Sequence, residues 1–323
     1  MKPTILLTGK TGQLGSELNR LLPKLGEVIA PERSELDLRE PETIRQVMRT
    51  AESQLIVNAA AYTAVDAAET DEANALAVNA EAPRLLAQEA RKLGAMLVHF
   101  STDYIFDGSK NVPYVETDPP NPLNAYGRTK LAGEEAIRNS GAAHLIFRTS
   151  WVYATHGRNF LLTILRLATE REELKIVADQ VGAPSCALDL AEATTNIFAG
   201  MIADDKSRFA FPEASGTYHI TAAGQTSWYE FANAILEEAR RAPQTLPWLA
   251  SATKGRPLIA RRVVPISTEE FRSPARRPVN SVLSNARLKQ VFGVTLADWR
   301  TQLQKCFSPR PVSAYPSAIL SSG

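Results

Sequence analysis

The chain has 323 residues, of which 44% are hydrophobic and 22% charged, and a formal net charge of +1. This balance belongs to a globular protein with a sizeable core, and it excludes a polyanion-binding surface spread over the whole molecule. No apolar run reaches the length of a membrane span and no signal-peptide pattern opens the chain. A cytoplasmic protein with neither a membrane nor a nucleic-acid partner is therefore expected. The two cysteines, Cys186 and Cys306, have no metal-ligand spacing and are expected to be reduced thiols.

Thr4–Thr8 is an apolar run of strand length, followed at once by Gly9-Lys-Thr-Gly-Gln-Leu-Gly15 and then by apolar residues at helical spacing from Ser16 to Leu22. Strand, glycine turn and helix together favour dinucleotide binding. Gly9 allows the tight turn, Gly12 lets the backbone approach a pyrophosphate, and Gly15 lets the helix pack closely. The anion would lie against the first N–H groups of the helix. The spacing is G-x-x-G-x-x-G, and the frame of a P-loop is missing. Glu27–Ala30 reads as a second strand, with Glu32 and Arg33 just beyond it. A carboxylate there suits a ribose 2′-hydroxyl and an arginine suits a 2′-phosphate, so NADH and NADPH both remain open.

Leu55–Asn58 is a third strand, ending in the small residues Ala59-Ala-Ala before Tyr62 and Thr63. A single helix is expected over Asp71–Leu93, and a fourth strand, Met96–Phe100, leads into Ser101-Thr-Asp-Tyr104. His99, inside that strand, reads as a packed core histidine rather than a catalyst. After the prolines of Asp118–Pro122 a helix begins near Asn124, and a fifth strand follows at His144–Arg148. Alternating strands and helices predict an α/β fold, a doubly wound parallel sheet of the Rossmann type. Residues 1–155 would form the dinucleotide-binding domain, with about 187–220 returning to it, and residues 156–305 a smaller α/β domain. Helices are expected at Asn159–Arg171, Leu188–Met201, Trp228–Arg240 and Leu296–Lys305, and short strands at Lys175–Val177 and Thr217–Ile220. Pro243–Pro278 reads as loops, and Ser308–Gly323 as a mobile tail.

Tyr126 and Lys130 are four residues apart, so on a helix they share one face. A phenol titrates near ~10 in water, and an ammonium held beside it lowers that value, giving an acid/base nearer to the working pH. The pair has weight only if the chain also holds a hydride carrier, which the glycine turn supplies.

The order of glycine turn, Ser101-Thr102, Tyr126 and Lys130 resembles the site of the short-chain dehydrogenase/reductase family, in its extended branch acting on nucleotide sugars. Within that branch the chain is similar to the dTDP-4-dehydrorhamnose reductases. The stretches that carry the resemblance include Val57–Asp66, Phe100–Phe106, Asn124–Glu134, Phe147–Tyr153, Asp179–Pro184 and Ala275–Ser281. It implies reduction of a sugar 4-ketone by NADPH or NADH, with Tyr126 as the acid, Lys130 on the nicotinamide ribose and Thr102 on the same carbonyl. It further implies Asp103 and Trp151 against the deoxysugar. Gly12, Gln13 and Leu14 would line the pyrophosphate, Asp37 and Leu38 the adenine, and Ala61, Tyr62 and Thr63 the nicotinamide side. Asn159 and the Arg276-Arg277 pair, Arg277 above all, would meet the nucleotide diphosphate. Relatives often carry aspartate where this chain has Glu32. Some hold Mg²⁺ between subunits, and here Glu17 would serve, but Leu188 stands where a second carboxylate is wanted, so no metal is expected. The resemblance also allows a homodimer, and it leaves open an epimerase, a reductase of another 4-keto sugar, or a non-catalytic regulatory subunit.

Overall fold

In a computed structural model, residues 2–202, 209, 215–243 and 245–308 are described below. Six strands form one wholly parallel sheet: β1 (Thr4–Thr8), β2 (Glu27–Ile29), β3 (Leu55–Asn58), β4 (Met96–Thr102), β5 (His144–Thr149) and β6 (Gly216–His219). Their order is β6-β5-β4-β3-β1-β2. The chain thus winds outward to β2, returns, and continues in the opposite direction through β3. The switch point lies between β1 and β3, where open α/β sheets leave a ligand crevice.

Strands buried on both faces read as continuous apolar runs, and alternate side chains feed two layers. Ile5, Leu7, Leu55, Val57 and Val98 pack on one face with α1 (Gln13–Leu21) and a later helix, Ala187–Ala199. Leu6, Ile56, Leu97 and Ile146 pack on the other, against α2 (Pro41–Ala51), α3 (Ala82–Leu93) and α4 (Ala125–Asn139). A separate apolar cluster joins Phe160–Ala168, Trp228–Arg241 and Trp299–Phe307 with the two-stranded pair Glu173–Val177 and Arg262–Ile266.

Several expectations change. The helix expected over Asp71–Leu93 is three pieces, Glu72–Leu76, a wide π turn at Ala77–Glu81, and α3. Pro83 has no N–H to give to a residue one turn back, which favours a break there. The segment expected as loops over Pro243–Pro278 contains a helix, Pro247–Thr253, and the strand Arg262–Ile266. Pro265 within that strand hid it, since proline is tolerated only at a sheet edge, as here in a two-stranded pair. The last helix starts at Trp299, because the Asp298 side chain accepts from the Arg300 N–H and caps it there. Cys186 and Cys306 are both buried with their sulfurs 3.7 Å apart, a proximity that their 120-residue separation concealed. Apart from Ser308, the expected mobile tail lies outside the described residues. No helix among the described residues is long and apolar enough to cross a membrane.

Candidate active site

The glycine turn occupies the mouth of the switch point. Gly9 has φ +74°, and a Cβ on Gly15 would come within 1.9 Å of the Gly9 carbonyl oxygen, so neither position accepts a side chain without displacement. Helix α1 begins after Gly12 with no side-chain cap, which leaves its first N–H groups open to an anion. The Gln13 side-chain oxygen is buried there without a partner. Bare backbone and uncapped N–H groups fit a dinucleotide pyrophosphate. At the end of β2 the Glu32 carboxylate lies 2.7 Å from the Lys10 ammonium, which also donates to the Ala30 carbonyl. Arg33 is exposed. Asp37 is held at about 2, first by its hydrogen bond from the Arg39 side chain, and Leu38 packs half-buried on the core beside it.

Across the crevice, the loop carrying Ala61, Tyr62 and Thr63 is fixed by a residue from the π turn. Asn79 accepts from the Tyr62 N–H at 2.9 Å, and its amide donates to the Tyr62 carbonyl and to the Thr129 hydroxyl of α4. The Tyr62 hydroxyl donates to Asp71.

The start of α4 is set by three contacts. Asn124 accepts from the Gly127 N–H, donates to the Arg276 carbonyl at 2.8 Å, and Glu69 accepts from the Ala125 N–H. A Cβ on Gly127 would meet the Tyr104 carbonyl oxygen at 2.2 Å, so the helix runs close under the end of β4. This places half-buried Tyr126 beside Thr102 and edge-on to Tyr104, ring centroids 6.1 Å apart. Burial pushes the Tyr126 phenol up to about 12, the Thr102 hydroxyl works against that, and the Asp103 charge adds to it. The lowering expected from Lys130 is not found. Lys130 is itself 1% exposed, burial brings it down to about 7 against the pull of Glu134, and its Nζ is bound to His99 Nε2 and the Phe100 carbonyl. A phenol held at about 12 is fully protonated at neutral pH, which suits a proton donor.

Thr102 donates to Asp103 at 3.0 Å, and Ser150 donates to the other Asp103 oxygen at the same distance. Burial raises the Asp103 carboxyl to about 6, opposed by hydrogen bonds from Ser281, Ser150 and Thr102. With its native value above the unfolded one, Asp103 weakens the fold at neutral pH, and the penalty fades as pH falls through 6 toward 3.8. Two pKa units correspond to about 3 kcal/mol. Asp103→Asn is therefore expected to raise the Tm at pH 7 and to converge with the parent near pH 4. Equal shifts at both pH values in thermal unfolding would contradict this.

The remaining sequence-derived residues fare differently. Trp151 sits at φ +47°, stacks on Trp228 with ring centroids 3.5 Å apart, and lies so close to Gly182 that a Cβ there would meet its indole at 2.4 Å. One indole face is thus covered by a second tryptophan. Asn159 is spent locally: it caps Phe160–Ala168 by accepting from Leu162 N–H and donates to the Ala154 and His156 carbonyls. Arg277 is paired with Asp66 at 2.8 Å and donates to the Ala275 carbonyl, close to Tyr104. Glu17 pairs with Arg20, and no group of three or more metal-ligating side chains occurs among the described residues. Sequence reading missed Lys10, His99, Asn79 and Asp66. Lys10 follows β1 in the glycine turn, but nothing along the chain marks Asn79 in its π turn or His99 within β4 as partners of the site.

The family model for the RmlD substrate binding domain matches residues 1–310. The chain is 50% identical over 302 residues to the dTDP-4-dehydrorhamnose reductase of Burkholderia thailandensis, covering 94% of this chain and 97% of that protein. It is 43% identical over 305 residues to the enzyme of the same name from Escherichia coli K12, covering 93% and 96%. Among solved structures, the dTDP-4-dehydrorhamnose reductase of Bacillus anthracis in complex with NADP superposes with a TM-score of 0.82 at 33% identity, over 95% of this chain and 99% of that one. With a family model matching nearly the whole chain and relatives of this identity, the chain belongs to the RmlD substrate binding domain family, together with the dTDP-4-dehydrorhamnose reductases.

Proposed function

We propose that this protein is an NAD(P)H-dependent reductase that converts the 4-keto group of dTDP-4-dehydro-L-rhamnose to a hydroxyl, giving dTDP-L-rhamnose for cell-surface polysaccharide. The observation that carries the reading is the half-buried Tyr126 phenol, protonated at neutral pH, beside the Thr102 hydroxyl and on the same helix as Lys130. NADH or NADPH, when bound, supplies the hydride. Gly9, Gly12, Gln13, Leu14 and Gly15 hold its pyrophosphate, Glu32 and Arg33 its adenosine ribose, Asp37 and Leu38 its adenine, and Ala61, Tyr62 and Thr63 its nicotinamide side.

The protein's part is to orient the ketone and deliver one proton. As the carbonyl carbon gains its hydride, the oxygen takes the Tyr126 proton, and the phenolate left behind is reprotonated from solvent. Thr102 fixes the same oxygen and Lys130 orients the cofactor ribose. Asp103 aligns Thr102, and the free edge of Trp151 meets the deoxysugar. Arg277, paired with Asp66, meets the nucleotide diphosphate, as an arginine fork suits phosphate oxygens. Residues 1–155 with about 187–220 serve the cofactor, and 156–305 mainly the nucleotide sugar.

The test is the loss of reduced-nicotinamide absorbance with dTDP-4-dehydro-L-rhamnose and with other nucleotide 4-keto sugars, using each cofactor in turn. Stoichiometric consumption with the rhamnose precursor is expected. Interconversion of sugars without net consumption would replace this reading with an epimerase, and binding without turnover would replace it with a regulatory subunit.

A further inference from the structure

A row of polar side chains crosses the sheet beneath the site, and only its last member was expected there. Thr8, Asn58 and His99 are register partners on β1, β3 and β4, so their side chains leave the same face. Thr8 Oγ1 lies 2.7 Å from Asn58 Oδ1, Asn58 Nδ2 lies 3.0 Å from His99 Nδ1, and His99 Nε2 lies 3.0 Å from Lys130 Nζ. All four residues are buried, at 2%, 0%, 0% and 1% exposure. Neighbouring residues on the same face, Leu6, Ile56 and Leu97, are apolar.

The proton count restricts what this row can do. Burial and the Lys130 charge hold His99 well below its ordinary value, so the ring is neutral at pH 7 and presents one donor and one acceptor. If the Asn58 amide donates to Nδ1, Nε2–H donates to an uncharged Lys130. If that amide is turned over, Nδ1–H donates to Asn58 and Nε2 accepts from the Lys130 ammonium. Each protonation state of the lysine has its own matching imidazole tautomer. Other charged groups face the pair as well. Glu134 lies one turn further along α4, held by Arg148 and Arg138, and Tyr126 lies one turn before.

We propose that His99 is a positioning residue for Lys130: oriented by Asn58 and Thr8, it takes one of the three Nζ hydrogen-bond directions while the Phe100 carbonyl takes the second. The third is thereby fixed for a bound nicotinamide nucleotide. This rests on the reading of Tyr126 and Lys130 given above. A lysine without the imidazole would keep its helix but lose its aim, and its ammonium would lose the acceptor that stabilises it in a buried place.

The experiment has an arm that does not need turnover. With ring-¹⁵N histidine, the four histidines are assigned by variants, and the His99 nitrogens are followed from pH 6 to 9. They are expected to remain those of a neutral ring and to shift as Lys130 titrates, and Lys130→Met is expected to abolish that shift. In the second arm, His99→Leu is expected to weaken NADPH binding about tenfold and to move the alkaline limb of kcat/KM to lower pH. His99→Gln, which keeps an acceptor, is expected to restore much of both. Unchanged His99 signals in Lys130→Met, or a folded His99→Leu protein with the parental pH profile and Kd, would overturn the proposal. A Tm loss with no movement of the limb would also overturn it, since that is what packing alone would give. Turnover retained in Tyr126→Phe would instead defeat the catalytic reading and leave the ¹⁵N result standing.

Discussion

Replacing Tyr126 by Phe is expected to lower kcat by ~10²–10⁴-fold, the usual range for losing a positioned general acid, while NADPH binds nearly as before. The phenyl ring keeps its place edge-on to Tyr104, and the cap at Asn124 is untouched, so only the donated proton disappears. KM for the nucleotide sugar should move little, because the lost interaction matters mainly while charge develops on the ketone oxygen. Since the phenol stands at about 12, the parent enzyme should show no basic limb attributable to Tyr126 below pH 9. Fluorescence titration of NADPH binding beside steady-state rates makes the check. A Phe variant within tenfold of the parent kcat would remove Tyr126 from the chemistry.

The largest stability effect is expected one turn beyond Lys130 on α4, at Glu134. Glu134 is fully buried and bound by the Arg148 Nε and Nη2 groups, at 3.0 and 2.7 Å, with Arg138 as a half-exposed third partner. Burial pushes the Glu134 carboxyl up, yet the hydrogen bonds and charge of Arg148 bring it below its ordinary value. A depressed native value means that this carboxylate stabilises the fold fully above the unfolded value of 4.5, and that the contribution is lost as pH falls through the native one. Arg148→Leu strands the carboxylate and is expected to cost ~3–5 kcal/mol at pH 7. Glu134→Leu with Arg148→Leu should recover most of that, because no unpaired charge remains. Urea unfolding at pH 7 decides, and a single variant losing under ~1 kcal/mol would show that Arg138 alone suffices.

The sheet was legible because buried parallel strands are written as unbroken apolar runs, and Thr4–Thr8, Leu55–Asn58 and Met96–Phe100 are such runs. The glycine turn was legible for a related reason: each glycine answers a local backbone need. What escaped was whatever depends on register or on distant segments. His99 looked like core because its neighbours along the chain are apolar, and only the alignment of β1, β3 and β4 reveals Asn58 on one side and Lys130 on the other. The expected effect of Lys130 on Tyr126 failed for an energetic reason. Spacing on a helix says that two groups share a face, but not that burial outweighs their mutual charge. Asn159 was expected at the nucleotide diphosphate from the resemblance alone, and its side chain caps the helix Phe160–Ala168.

The tie between Asn124 and the Arg276 carbonyl joins positions 152 residues apart. Half of the cap that starts the Tyr126 helix is thus owned by the stretch that also carries Arg277. One hydrogen bond joins the segment that begins the Tyr126 helix to the segment bearing Arg277, far apart in the chain.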